Sequence, residues 1–176
     1  FIKNYFKKKK ISSLNLVDTG IKTLTGGRLL RLKKYFKTGE NFMLTYGDGI
    51  SNQDIKKLYN FHKRNKKIAT MTIVKPPVRF GEVEINKNLV TRFKEKPQST
   101  KGGWINGGFF VFNYKIFDFI KNDKTMLERE PMEKLLKKKE LIAFKHKGFW
   151  QCMDTLREKN YLNNLYENNK LPWLKK

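Results

Sequence analysis

The chain has 176 residues, with 39 Lys or Arg against 16 Asp or Glu, so its formal charge is +23. This length corresponds to one domain, and 39% apolar residues suffice for a sizeable core. The sequence has no apolar run of about 18 residues, which excludes a membrane-spanning helix, and aromatic residues recur throughout, which excludes general disorder. The single cysteine, Cys152, excludes an intramolecular disulfide and a Cys-based zinc site. We therefore expect a cytoplasmic protein.

The positive charge comes mainly from Lys, which is scattered over every segment. A dedicated nucleic-acid groove favours Arg, because the planar guanidinium binds phosphates and bases at two points. We therefore expect neither a nucleic-acid partner nor a membrane partner. The positive field would still attract small polyanions.

The first half of the chain alternates predicted strands and helices. Apolar runs predict strands at residues 14–17, 42–45 and 68–74. Apolar residues at helical spacing predict a helix that opens at Thr25 and another for which Ser51 is the N-cap. Such alternation favours a parallel sheet with helices on its faces.

The second half mixes strand pairs and helices within the same α/β domain. The pattern predicts a hairpin at 82–85 and 89–94, a strand at 104–113, helices at 114–121 and 126–137, a strand at 141–145 and a helix at 155–166. The 104–113 strand is interrupted by two glycines, which mark either a bulge or the close approach of a ligand.

The segment Tyr46-Gly47-Asp48-Gly49 stands between a predicted buried strand and a predicted helix. In an open α/β sheet this is the carboxyl edge, where ligands bind, and a carboxylate there can hold a divalent cation that bridges phosphates. The alternative interpretation is a plain turn in which Asp is a turn residue.

A second carboxylate, that of Asp154, also stands between an apolar segment and a predicted helix. Two such carboxylates can converge at one sheet edge and complete a magnesium site together with water and phosphate. The alternative is that Asp154 caps or precedes the last helix.

Two further segments carry polar groups suited to a sugar phosphate. In Glu95-Lys96-Pro97, the Lys can neutralise a phosphate and the Glu can accept hydrogen bonds from sugar hydroxyls, although an edge-strand ion pair is the simpler interpretation. Asn106-Gly107 can offer an amide and exposed backbone to a polyol, or it can belong to a bulge.

Seven segments, in one order from about residue 14 to the C-terminus, carry a resemblance to a known family. They are LVDTG (16–20), TLTGGRLLRL (23–32), LTYGDG (44–49), PPVRFG (76–81), FKEKP (93–97), WINGGFFVFN (104–113) and GFWQCMDTLREKNYL (148–162). Together they resemble the glucose-1-phosphate cytidylyltransferases of the sugar nucleotidyltransferase family.

The resemblance implies a Rossmann-like nucleotidyltransferase fold with a mixed, mostly parallel sheet. It implies Mg²⁺-dependent transfer of a cytidylyl group from CTP to glucose 1-phosphate, which yields CDP-glucose and pyrophosphate for deoxysugar and surface-polysaccharide (O-antigen) synthesis. Full-length members of the family suggest a homo-oligomer.

The resemblance also assigns roles to individual residues. By this analogy, Asp48 and Asp154 bind the metal. The nucleotide contacts are Thr23, Arg28, Gly47 and Asp48, the sugar-phosphate contacts are Gly81, Glu95, Lys96, Asn106 and Gly107, and the groups that act on the phosphates are Lys96 and Arg28.

The chemistry that the resemblance implies needs no general base, because the attacking phosphate oxygen is already ionised at neutral pH.

The start of the chain departs from the family pattern. The family begins with a strand and a glycine-rich G-x-G-x-R loop, and nothing in residues 1–13 matches them. We expect residues 1–176 to form a single, N-terminally truncated nucleotidyltransferase domain with weak or no activity. The alternative is a non-catalytic polyanion-binding domain derived from such an enzyme.

Overall fold

A computed structural model describes residues 4–6, 11, 13–76, 82–87, 89–94 and 103–174. Their elements, in chain order, are α1 (Thr25–Arg31), a first 3₁₀ turn (Lys33–Tyr35), β1 (Asn41–Thr45), β2 (Gly49–Ser51), α2 (Ile55–Asn65), β3 (Ala69–Val74), β4 (Glu82–Asn86), β5 (Leu89–Lys94), β6 (Ile105–Asn113), a second 3₁₀ turn (Tyr114–Phe119), α3 (Glu130–Lys137), β7 (Leu141–His146), β8 (Trp150–Cys152) and α4 (Leu156–Glu167).

The central sheet has four strands in the order β1-β6-β3-β7. Strand β6 is antiparallel to both β1 and β3, whereas β3 and β7 are parallel. Strands β1, β3 and β7 therefore run in one direction with β6 reversed among them. The expected mixed sheet is confirmed, but in the described part of the chain it is not mostly parallel, because only one of its three strand pairings, β3–β7, is parallel. The carboxyl ends of β1, β3 and β7 and the amino end of β6 lie at the same edge.

The core is dominated by phenylalanine rings between the sheet and the 3₁₀ turns. Phe42 of β1 stands opposite Phe112 of β6, and both are buried. Phe36 stacks on Phe42 with ring centroids 4.1 Å apart, and Phe117 packs against both rings, with centroids 5.7 Å from Phe42 and 6.0 Å from Phe36. This aromatic core fixes the β1–β6 pair, from whose ends the candidate site begins.

The strand predicted at residues 14–17 is wrong: these residues are irregular, and no strand of the described part pairs with them. Leu14 and Leu16 are exposed, so the apolar alternation has no sheet to bury it. The segment then turns at Gly20, whose N–H donates to Asp18 Oδ1 at 2.9 Å.

The N-cap predicted at Ser51 is also wrong. Ser51 ends strand β2, and the cap of α2 is Asp54, whose Oδ1 accepts the Lys57 N–H at 3.0 Å. The Ser51 hydroxyl donates instead to the Phe149 carbonyl at 3.1 Å. Because the Ser51 hydroxyl is bonded to this other segment, Ser51 does not cap helix α2.

Two predicted helices are shorter or tighter than expected. The segment after β6 forms the second 3₁₀ turn instead of an α-helix. Helix α3 begins at Glu130, four residues later than predicted, with Pro131 in its first turn, where the missing N–H costs no hydrogen bond.

The predicted hairpin is confirmed as β4–β5. Among the described helices, none has the length and apolarity that a membrane crossing demands.

Candidate active site

The short antiparallel ribbon β2–β8 brings the two candidate metal ligands to adjacent positions. The ribbon pairs Gly49 with Cys152, and one step further the Met153 N–H donates to the Asp48 carbonyl at 2.9 Å. Asp48 and Asp154 therefore leave the same end of the ribbon, 106 positions apart in sequence, and both are exposed. The structure brings together the segments that the sequence predicted to meet, and metal ligation itself stays a prediction.

The start of helix α4 adds a third carboxylate that the sequence analysis missed. Glu158 Oε2 accepts the N–H groups of Asp154 and Thr155 at 2.9 and 3.0 Å, in a capping box closed by the Thr155 hydroxyl. Ligand atoms of Cys152, Asp154 and Glu158 lie within 4.8 Å of one another. The signal in the sequence was the T-x-x-E spacing of a capping box.

The donor set at this end of the ribbon fits Mg²⁺. Asp48 and Asp154 supply hard carboxylate oxygens, which Mg²⁺ prefers over nitrogen or sulfur. The turn around them is open, since a Cβ on Gly47 would meet no atom within 4 Å. The thiol of Cys152, which is partly exposed, is a poor ligand for this cation.

Arg28 lines a cleft of about 550 Å³ next to the irregular segment. Its Nη1 donates to Thr19 Oγ1 at 2.8 Å and its Nη2 donates to the Ile21 carbonyl at 3.4 Å. Thr23 is buried and is not among the residues that line this cleft. Of the predicted nucleotide contacts in this region, the structure thus places Arg28 at a cleft, whereas Thr23 is buried outside the cleft lining.

The two glycines that open helix α1 are required by packing. A Cβ on Gly27 would lie 2.5 Å from the Asp123 Cα, which no side chain can occupy. The N–H groups of Gly26 and Gly27 both donate to the Thr125 carbonyl, at 3.0 and 3.2 Å. These amides are therefore committed to the 122–127 loop and do not form a free phosphate cradle.

A chain of side-chain hydrogen bonds links helix α1 to the turn that carries Asp48. The Tyr46 hydroxyl donates to Glu128 Oε1 at 2.5 Å, and the Thr25 hydroxyl donates to Glu128 Oε2 at 2.6 Å. The pKa of Tyr46 is raised above its ordinary value, first by burial and then by the Glu128 carboxylate. Sequence spacing gave no signal for this contact, because Glu128 is 82 and 103 positions from its partners.

The start of strand β6 joins this chain from the other side. The Tyr46 N–H donates to the Gly108 carbonyl at 3.0 Å, and the Asn106 Oδ1 accepts the Gly108 N–H at 2.9 Å. Gly107 is buried, and its carbonyl accepts the Trp150 Nε1–H at 2.8 Å. A Cβ on Gly107 would lie 2.9 Å from Val74 Cγ1.

The β3–β6 register shifts between Met71 and Ile73, beside this glycine pair. The bulge interpretation of the pair is therefore confirmed, and a sugar contact by Asn106 or Gly107 stays a prediction. The other predicted sugar-phosphate residues, Gly81, Glu95 and Lys96, lie outside the described residues.

The comparisons with known proteins agree with this geometry. Residues 25–160, more than half of the chain, match the Nucleotidyl transferase family. Exposed carboxylates at the carboxyl edge of a mixed sheet are a suitable site for the phosphates on which such enzymes act. The chain belongs to the nucleotidyl transferase family.

Individual relatives narrow the comparison. The glucose-1-phosphate cytidylyltransferase of Salmonella typhimurium is 50% identical over 161 residues, 92% of this chain and 62% of that protein. The mannose-1-phosphate guanyltransferase of Saccharomyces cerevisiae is 30% identical over 175 residues, 96% of this chain and 48% of that protein. The chain thus spans at most 62% of the length of these two curated relatives.

A solved structure supports the fold independently. The crystal structure of HddC from Yersinia pseudotuberculosis aligns with a TM-score of 0.63 at 21% identity, over 93% of this chain and 74% of that one. At this identity the similarity concerns the fold alone. It confirms the α/β Rossmann-like nucleotidyltransferase architecture expected from the sequence.

Proposed function

We propose that this chain carries the C-terminal part of the active site of a glucose-1-phosphate cytidylyltransferase, which transfers a cytidylyl group from CTP to glucose 1-phosphate and releases pyrophosphate. The observation that carries the proposal is the Met153–Asp48 hydrogen bond, because it brings the two candidate metal ligands to one end of the β2–β8 ribbon. The 50% identity to the Salmonella enzyme supports the choice of CTP and glucose 1-phosphate.

In this proposal Mg²⁺ is held by the carboxylates of Asp48 and Asp154. When bound, the cation offsets the repulsion between two polyanionic substrates and the charge that develops at the α-phosphate. Glu158 contributes indirectly: it accepts the Asp154 N–H at 2.9 Å and so fixes the backbone that carries the second ligand.

The remaining residues bind and orient the two substrates. Arg28 lines the 550 Å³ cleft and offers its guanidinium to the nucleotide, while Gly47 leaves room beside Asp48 for a phosphate. Lys96 neutralises the phosphate of the sugar, and Glu95 accepts hydrogen bonds from its hydroxyls. No residue needs to remove a proton, because the attacking oxygen belongs to an ionised phosphate. In-line alignment of that oxygen supplies the rest of the rate enhancement.

The product is a nucleotide sugar of the kind consumed in deoxysugar and surface-polysaccharide synthesis. We further propose that the protein acts in the cytoplasm and as a homo-oligomer. The charge of +23 favours retention of polyphosphate substrates. It also favours the second candidate, a polyanion-binding domain without catalysis.

The test compares nucleotides and sugars with the full product of the gene that encodes this chain. Pyrophosphate release and sugar-nucleotide formation are measured for CTP, UTP, GTP and dTTP with glucose 1-phosphate or mannose 1-phosphate, with and without Mg²⁺. We expect turnover for CTP with glucose 1-phosphate and at least a hundredfold loss in Asp48→Asn and Asp154→Asn, since both ligands of the cation carry charge that the amides lack.

Glu133→Gln is the matched control, because Glu133 is exposed on helix α3 and lies outside the proposed site. Preference for another nucleotide would reassign the substrate within the family. Failure to form any sugar nucleotide, together with binding to arbitrary DNA that moderate salt abolishes, would reject the transferase in favour of the polyanion-binding domain.

A further inference from the structure

Glu128 is an exposed residue whose side chain is hydrogen-bonded to two segments far away in the sequence. It lies in the loop before helix α3 and is exposed, yet each of its carboxylate oxygens accepts a hydrogen bond from a hydroxyl of a different segment. Thr25 is the first residue of helix α1, and Tyr46 immediately precedes the Gly47-Asp48 turn. The side chain therefore bridges two segments of the candidate site.

Both partners of Glu128 are themselves held by further contacts. The Thr25 hydroxyl also accepts the Leu127 N–H at 2.9 Å, which orients its proton toward Glu128. The Tyr46 N–H donates to the Gly108 carbonyl at 3.0 Å, and its ring packs on Phe110 with centroids 5.6 Å apart. Tyr46 is thus fixed at its backbone and ring, and its hydroxyl is the link to the rest of the site.

Hydrogen bonds to a carboxylate are about twice as strong as bonds between neutral groups. Two of them on one side chain restrict the separation of the Thr25 and Tyr46 hydroxyls.

We propose that Glu128 is a positioning residue of the nucleotidyl transfer site, which acts through Tyr46 on the turn that carries Asp48 and through Thr25 on the helix that carries Arg28. This inference rests on the proposed function, since Asp48 and Arg28 receive their roles there. Glu128 need not touch a substrate, because both of its oxygens already accept hydroxyl protons from the protein.

The first measurement is hydrogen–deuterium exchange without metal or substrate. In Glu128→Gln, amides at residues 23–28 and 44–49 are expected to exchange about tenfold faster, because a charged acceptor is lost at both contacts. Thr25→Val is expected to affect only the first segment and Tyr46→Phe only the second. Thr25→Ser, which keeps the hydroxyl, is expected to exchange as the wild type does.

The second measurement is Mn²⁺ binding, followed by the electron paramagnetic resonance of the free ion. Glu128→Gln and Tyr46→Phe are each expected to raise the Mn²⁺ dissociation constant about tenfold, because the turn that holds Asp48 loosens. The double variant is expected to match Tyr46→Phe alone, since both changes break the same link. Glu133→Gln is the control and is expected to bind Mn²⁺ like the wild type.

Three outcomes would overturn the inference. Unchanged exchange in Glu128→Gln would show that the bridge does not order the two segments. Additive effects in the double variant would make Glu128 a ligand in its own right. An unchanged Mn²⁺ dissociation constant in these variants would show that Glu128 does not act on the turn that carries Asp48. None of these readouts uses CTP or glucose 1-phosphate, so rejection of the proposed function by the turnover assay remains a separate result.

Discussion

The aromatic core between β1 and β6 and the ribbon β2–β8 contrast in how the sequence builds them. In the core, Phe42, Phe110 and Phe112 are buried and pack on one another through apolar contacts alone. At the ribbon, Asp48 and Asp154 are exposed and are brought together by the β2–β8 backbone pairing, which the Met153–Asp48 hydrogen bond extends. We infer that the core contributes most of the stability, whereas the ribbon holds polar groups in place at little cost in stability.

This contrast separates two kinds of substitution. A change in the core is expected to alter the free energy of unfolding, whereas a change at the ribbon is expected to alter ligand binding with little effect on unfolding. The predictions below test that separation, from the largest expected effect on stability to the smallest.

The core prediction concerns Phe112→Ala. Because Phe112 is fully buried and packs against Phe42 and Phe110, its truncation is expected to cost about 3–5 kcal/mol of unfolding free energy. Urea denaturation measures this loss. Tyr166→Ala, at a residue that is 68% exposed, serves as the control and is expected to stay within about 0.5 kcal/mol of the wild type. Equal losses in both variants would contradict the assignment of the core.

Gly27→Ala sharpens the comparison at the start of helix α1. The added Cβ would lie 2.5 Å from the Asp123 Cα, and backbone on both sides must move to relieve the clash, so a loss of about 1–3 kcal/mol is expected. Gly47→Ala is the matched control, since its Cβ meets nothing within 4 Å. If Gly47→Ala destabilised the protein as much as Gly27→Ala, the packing of α1 against the 122–127 loop would be wrong.

Thr155→Ala removes one half of the capping box at helix α4. The Thr155 hydroxyl accepts the Glu158 N–H at 3.3 Å, and its loss is expected to cost about 1 kcal/mol. Thr155→Ser keeps the acceptor and is expected to unfold like the wild type. Thermal unfolding followed by circular dichroism distinguishes the two, and a Ser variant as unstable as the Ala variant would assign the effect to the methyl group.

His62 tests the core through pH. It is 1% exposed, its Nδ1 lies 2.8 Å from Thr70 Oγ1, and burial lowers its pKa below the ordinary value. Over the pH range in which unfolded His62 is protonated, the folded chain therefore binds that proton more weakly than the unfolded chain does. Stability is expected to fall as the pH drops below about 6.5, by at most about 1.4 kcal/mol per pH unit from this residue.

The measurement for His62 is urea unfolding between pH 7.5 and pH 5. His62→Gln is expected to lose stability less steeply than the wild type over this range. The same slope in both proteins would show that His62 binds a proton equally well when the chain is folded and when it is unfolded.

The elements that periodicity specifies were predicted well. Strands β1, β3 and β7 are apolar runs with defined ends, and helix α2 shows its buried face through Leu58 and His62. These features depend on neighbours in the sequence and on burial against one sheet, so a local pattern suffices.

The remaining features depend on partners far along the chain. Leu14 and Leu16 alternate as a strand would, but a strand also needs a neighbour to pair with. Strand β8 has three residues and exists only through its pairing with β2. Glu128 lies 82 positions from Tyr46 and 103 positions from Thr25 in the sequence, and no periodicity encodes contacts over such distances.

The most direct test of the account is anomalous diffraction at the manganese edge from crystals of the full gene product grown with Mn²⁺ and CTP. The account predicts one peak within about 2.5 Å of carboxylate oxygens from both Asp48 and Asp154, beside the phosphates of the nucleotide. A peak that contacts neither carboxylate, or only one of them while the other points away from the nucleotide, would contradict the central claim that the ribbon assembles a metal-dependent nucleotidyl transfer site.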